Sequence, residues 1–132
     1  MKLPTVGLIS VRDSKLLQAY SKNKKAWYLP GGKVDQGESL ADALKREIKE
    51  ELSVALDMDD VEYYCHITAQ AYGETEGIIM EQECYLYPLA EFKAAHEIGG
   101  LRYFSYDEYR QEPVQVVGVL MVYDNLVRDK LI

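Results

Sequence analysis

Residues 27–54 read Trp27-Tyr28-Leu29-Pro30-Gly31-Gly32-Lys33-Val34-Asp35-Gln36-Gly37-Glu38-Ser39-Leu40-Ala41-Asp42-Ala43-Leu44-Lys45-Arg46-Glu47-Ile48-Lys49-Glu50-Glu51-Leu52-Ser53-Val54. A strand-like Trp27 to Leu29 is followed by Pro30 and two adjacent glycines, which allow the backbone of Gly31 and Gly32 to approach a ligand closely. Ser39 with Asp42 three positions on is a helix-start pattern. From there Leu40, Leu44, Ile48 and Leu52 recur every fourth residue, a stripe able to dock on a sheet.

Glu47, Glu50 and Glu51 stand at i, i+3 and i+4 and therefore share one face of that helix. Like charges so placed cost an isolated helix roughly 0.2–0.5 kcal/mol per pair. A hard cation with a preference for oxygen ligands would reverse that penalty. An acidic helix face is ordinarily just a solvated surface; the glycine loop directly in front of this one argues for chemistry instead.

The spacing Gly32-x5-Glu38-x7-Arg46-Glu47-Ile48-x-Glu50-Glu51-x-Ser53-Val54 resembles the Nudix box. That resemblance implies an α/β/α sandwich with a mixed β-sheet between helices, and a Mg²⁺-dependent pyrophosphohydrolase, with Mn²⁺ as a possible substitute. It also implies roles. The Gly31 carbonyl, Glu50 and Glu51 would ligate metal, Glu47 would be a further ligand or the general base, and Arg46 would pin the carboxylates. Glu50 belongs with Arg46 and Glu47 in the catalytic set. Glu38 would support the loop, and Lys33, beside Gly32, would meet substrate phosphate. The chain departs from the family at Ser53, where glycine is usual; a serine in the left-handed conformation costs on the order of 1 kcal/mol.

Outside the box the resemblance offers Glu97, ahead of the aromatic segment Leu101 to Phe104, as a further metal ligand or alternative base. Tyr28 and Tyr72 are candidate substrate contacts, Tyr72 resembling a signature of diadenosine polyphosphate hydrolases. Gln111, before Pro113, is similar in place to a residue with which MutT-like members read a nucleobase, its amide both donating and accepting. Two features seen in related families are missing: the proline common in members acting on ADP-ribose, and a basic side chain at Gln18-Ala19-Tyr20. His66 and His96 lack any partner spacing and read as structural.

The 132 residues suffice for one domain, 1–132, and are too few for two. A net charge of −7 weighs against nucleic-acid polymers, which need a basic surface. A small phosphate-bearing nucleotide remains compatible, since its charge arrives with a cation. No apolar run is long enough to span a membrane, so a cytoplasmic location is expected. Cys65 and Cys84 have no ligand spacing and are expected to be reduced and buried.

Thr5 to Val11 and Lys15 to Tyr20 suggest a hairpin about Arg12-Asp13-Ser14, and Val61 to Tyr72 and Ile78 to Leu89 an antiparallel pair. A last helix is expected over Val114 to Lys130, with Val117, Leu120, Met121, Leu126 and Val127 on its apolar face. Exposed strand edges leave room for a homodimer. Two competing readings stand beside the hydrolase. One is a Nudix-like sensor that binds a nucleotide or sugar nucleotide without turnover; the other, a structural calcium site, lacks the alternating oxygen ligands such loops carry.

Overall fold

The computed structural model of the chain describes residues 1–88, 92 and 98–132. Its strands are β1 (Lys2–Ile9), β2 (Val11–Arg12), β3 (Lys15–Ser21), β4 (Ala26–Tyr28), β5 (Gly31–Lys33), β6 (Glu62–Gln70), β7 (Ile79–Leu86) and β8 (Ile98–Phe104). The helices are α1 (Leu40–Leu52), α2 (Tyr106–Tyr109) and α3 (Val117–Arg128). The class is the expected mixed α/β, but the strands divide into two four-stranded sheets. The first runs β5-β1-β7-β6, with β1 and β7 parallel and the other pairs antiparallel. In the second, β3 pairs antiparallel with β2, β4 and β8.

The expected hairpin forms only at its tip. Asp13 and Ser14 take φ of 50° and 60°, the left-handed pair that matches strand twist in a two-residue turn. The incoming arm is only Val11 and Arg12. Buried Ser10 separates this arm from β1, its carbonyl accepting from the Leu17 N–H at 2.9 Å, and the longer run before it joins the first sheet instead. The β6–β7 pair is antiparallel as expected, joined through Gly73 and Gly77, both at positive φ.

Alternation along β1 places the core on both faces of the first sheet. Val6 and Leu8 pack with Ala43, Leu44, Ile48 and Leu52 of α1. Ile9 faces the other way, into a cluster with Cys84, Phe104, Val122 and Leu126. The first sheet thus lies between α1 and α3. Leu40, 39% exposed, does not join the α1 stripe; it lies in the first turn, and Ala43 is buried instead.

On α3 the buried face is Gly118, Val119, Val122, Tyr123 and Leu126, while Val117, Met121 and Val127 are exposed. Two apolar stripes compete along this helix, and packing selects the one containing Tyr123. Its hydroxyl is satisfied inside, donating to the Phe104 carbonyl at 2.8 Å and accepting from Gln18 Nε2 at 2.9 Å. The helix starts at Val117, later than expected, without a side-chain cap. Both cysteines are free thiols; Cys84 is buried and Cys65 only partly so. Among the described residues no helix is long and apolar enough to cross a membrane.

Candidate active site

α1 begins as its sequence predicts. The Ser39 hydroxyl accepts from the Asp42 N–H at 3.1 Å. Ser53 closes the helix at φ 57° and ψ 31°, its N–H bonded to the Lys49 carbonyl. Serine therefore does occupy the left-handed position where the box usually has glycine.

Arg46 organises the loop in front of the helix. Its Nε and one terminal nitrogen donate to the two Glu38 carboxylate oxygens at 2.8 and 2.9 Å, a bidentate fork. The same terminal nitrogen reaches the Lys33 carbonyl at 3.0 Å and the Asp35 carboxylate at 3.4 Å. The other contacts Glu47 at 2.9 Å and Glu50 at 3.6 Å. The Arg46 bonds, with help from the Asp35 N–H, hold the Glu38 carboxyl down to about 2. Glu47 is shifted the other way: burial raises its pKa, and the Arg46 bond only partly opposes this.

Backbone and carboxylates meet at the glycine pair. The Gly31 N–H donates to Glu51 Oε1 at 2.8 Å. A side chain on Gly31, at φ 144°, would overlap the Val6 carbonyl oxygen. A Cβ on Gly32 would lie 2.5 Å from the Glu47 carboxylate. Gly31 is therefore required by backbone approach, whereas at Gly32 an added side chain would displace Glu47.

Among the described residues, no three acidic, histidine or cysteine side chains converge into a ready-made cage. Magnesium does not require one, since it takes one or two protein carboxylates and completes its shell with water and substrate phosphate. The donor set fits such an ion. It is all oxygen, with Glu47 and Glu50 meeting at one guanidinium nitrogen and Glu51 anchored on the loop.

Next to the loop opens a cavity of about 310 Å³, with Gly31, Gly32, Lys33 and Glu51 on its wall. Tyr28 and Tyr72 also line it, their rings 6.0 Å apart and tilted by 48°. The Lys24 ammonium lies 5.5 Å from the Tyr28 ring centre. Lys33 is at the mouth, but paired with Glu74 at 3.0 Å, and Lys24 approaches the same carboxylate at 3.8 Å. Gln111 is exposed on the turn after α2 and away from this wall; Val116, Gly118 and Val119 stand there instead. Glu97 and His96 lie outside the described residues. Sequence reading missed Glu74, Thr5 and Gln82, all on the wall. Only the glycine-flanked turn around Glu74 carried any signal, and it did not indicate which way the turn folds.

A family model described as the NUDIX domain matches residues 1–119. The chain belongs to the NUDIX family. That family is one of hydrolases acting on phosphoanhydride bonds. An RNA pyrophosphohydrolase of Pseudomonas putida is 43% identical over 60 residues, 45% of this chain and 36% of that relative. The match thus spans about a third of the relative's length. The crystal structure of a MutT NUDIX hydrolase from Burkholderia pseudomallei shares the fold, with TM-score 0.78, 24% identity, and coverage of 96% of this chain and 98% of the other. The solution structure of the E. coli ORF135 protein has TM-score 0.74 at 27% identity, covering 98% and 91%.

Proposed function

We propose that this NUDIX chain is a Mg²⁺-dependent pyrophosphohydrolase that cleaves a phosphoanhydride bond in a nucleoside triphosphate or a nucleoside diphosphate derivative. One observation supports the reading: the Gly31 N–H is bonded to Glu51, which lines the cavity, and the Glu47 carboxylate lies against Gly32 of the same loop. A pure ligand sensor has no need of that crowded arrangement.

Glu50 and Glu51 would hold the ion, together with the Gly31 carbonyl, with Mn²⁺ as the substitute and Glu97 as a further ligand. When bound, magnesium supplies charge neutralisation at the phosphate oxygens and orients the attacking water. Glu47 is suited to take the water proton, because burial makes it a stronger base than an exposed glutamate; Glu97 is the alternative base. Arg46 holds Glu38, Glu47 and Glu50 in register rather than touching substrate. Lys33 and Lys24 would exchange Glu74 for substrate phosphate. Tyr28 and Tyr72 would flank the nucleoside.

The test is phosphate release, coupled to a pyrophosphatase and a phosphatase, across nucleotides, oxidised nucleotides, sugar nucleotides, dinucleoside polyphosphates and a 5′-triphosphate RNA. The RNA enters because of the P. putida relative, and the net charge of −7 weighs against it. Glu51→Gln is expected to lose at least 10²-fold in kcat. Turnover unchanged in that variant at saturating metal would refute the assignment, and binding without turnover across the panel would favour a sensor.

A further inference from the structure

Where β1 pairs with β5, next to the Gly31–Lys33 strand, the cavity wall carries further polar groups among apolar ones. Thr5 of β1 and Gln82 of β7 are direct partners in the parallel register, and both line the cavity. Thr5 is 7% exposed, and its hydroxyl has no hydrogen-bond partner among the described residues. The Tyr28 hydroxyl is buried and unpartnered in the same way. Leaving a buried hydroxyl unpaired is costly, and two on one cavity wall point to a ligand that pairs them.

Gln82 is held in a defined position. Its carboxamide lies across Gly7, where an added Cβ would come 3.0 Å from Nε2 and 3.1 Å from Cδ. The Cys84 thiol donates to Gln82 Oε1 at 3.7 Å, which orients the amide. Oε1 is thereby engaged, while Nε2 donates to no group among the described residues. The unpaired functions of this wall are therefore an amide donor and two buried hydroxyls. Around them stand Leu29, Met80 and Val119. A flat ring with a polar edge suits such a site, apolar walls holding its faces and a few polar groups reading its rim.

We propose that Thr5 and Gln82 are the specificity-determining residues of this site, reading a seated nucleobase and favouring the exocyclic oxygen of guanine or uracil over the amino group of adenine or cytosine. The inference rests on the nucleotide reading above. It follows from donor and acceptor matching: guanine O6 and the uracil oxygen accept from Nε2, whereas an amino group there would face another donor. Thr5 adds a hydroxyl that completes the edge contact.

The experiment is calorimetric titration of the full chain with GMP, UMP, AMP and CMP without metal, which reads base recognition independently of turnover. Wild type is expected to bind GMP roughly tenfold more tightly than AMP, and UMP than CMP, the discrimination of one good base contact. Gln82→Leu and Thr5→Val should shrink these ratios. Gln82→Glu, which replaces the donor by an acceptor at nearly constant shape, should invert them, a gain that misfolding cannot imitate. Equal binding of all four by wild type, or ratios unchanged in Gln82→Leu and Gln82→Glu, would overturn the proposal. Hydrolysis of nucleotides without base preference would overturn it while leaving the hydrolase reading intact; neither binding nor turnover of any nucleotide would overturn both.

Discussion

Gly32 carries a tighter constraint than the freedom of its backbone. The Glu47 carboxylate occupies the space a side chain would need, only 2.5 Å from where a Cβ on this glycine would stand. Gly32→Ala must therefore push Glu47 aside, and a flexible glutamate can move without unfolding the chain. Displacing a reacting group by about 1 Å costs on the order of 10²-fold in rate. We expect kcat to fall by that order with Tm nearly unchanged; a variant with full turnover would show that Glu47 need not lie against the loop. The chemistry-bearing residues of the box were legible because charge at fixed helical spacing is written directly into the chain. Thr5 and Gln82 were not. Each looks like an ordinary strand residue until the parallel register brings them together.

At the scale of elements, the end of α1 stores a small, removable cost. Ser53 sits at φ 57° and ψ 31°, where a Cβ is disfavoured. Ser53→Gly is expected to stabilise by about 1 kcal/mol, a rise in Tm on the order of 4 °C, measured by thermal melting. A lower Tm would mean that the serine hydroxyl has a role in the cap. On β6 and β7, His66 bridges Glu83 at 2.8 Å and Glu81 at 2.5 Å. The Glu83 bond and then the Glu81 bond raise its pKa above 6.5. A raised histidine pKa adds stability that is fully present below the unfolded value of 6.5 and lost as pH rises through the folded one. The Tm difference between wild type and His66→Gln should therefore be largest below the unfolded value of 6.5 and shrink as pH rises through the raised folded value. A difference independent of pH would indicate packing rather than charge. Among the elements, α1 was readable because cap, stripe and acids agree. The first arm of the hairpin was not, because the apolar run from Thr5 to Val11 conceals the sheet change at Ser10. The α3 stripe was misplaced because hydropathy alone ranks Met121 and Val127 above a buried tyrosine whose hydroxyl is satisfied.

For the whole molecule, two sheets raise the question of whether the chain behaves as one unit. Both core clusters draw on both sheets. One joins Ile9, Ile67 and Cys84 of the first to Leu16, Ala26 and Phe104 of the second. The other joins Val6 and Leu8 of the first to Leu17 of the second, beneath α1. Polar bonds tie the helices to the second sheet: Tyr109 of α2 donates to the Trp27 carbonyl of β4 at 3.3 Å and accepts from the N–H of Val116, the cap of α3, at 2.9 Å. Neither layer can open without exposing part of the other's core, so cooperativity should extend over the chain. Leu44 on α1 and Leu126 on α3 are both fully buried, on opposite sides of the first sheet. Leu44→Ala and Leu126→Ala should each cost roughly 3 kcal/mol. In urea each should move one and the same transition, followed by Trp27 fluorescence, which reports on the second sheet, and by far-UV circular dichroism, which reports on the helices. If Leu44→Ala shifted the dichroism midpoint while the Trp27 midpoint stayed in place, α1 and its acidic face would form a separately unfolding layer, and the site it shares with the cavity would be only as stable as that layer.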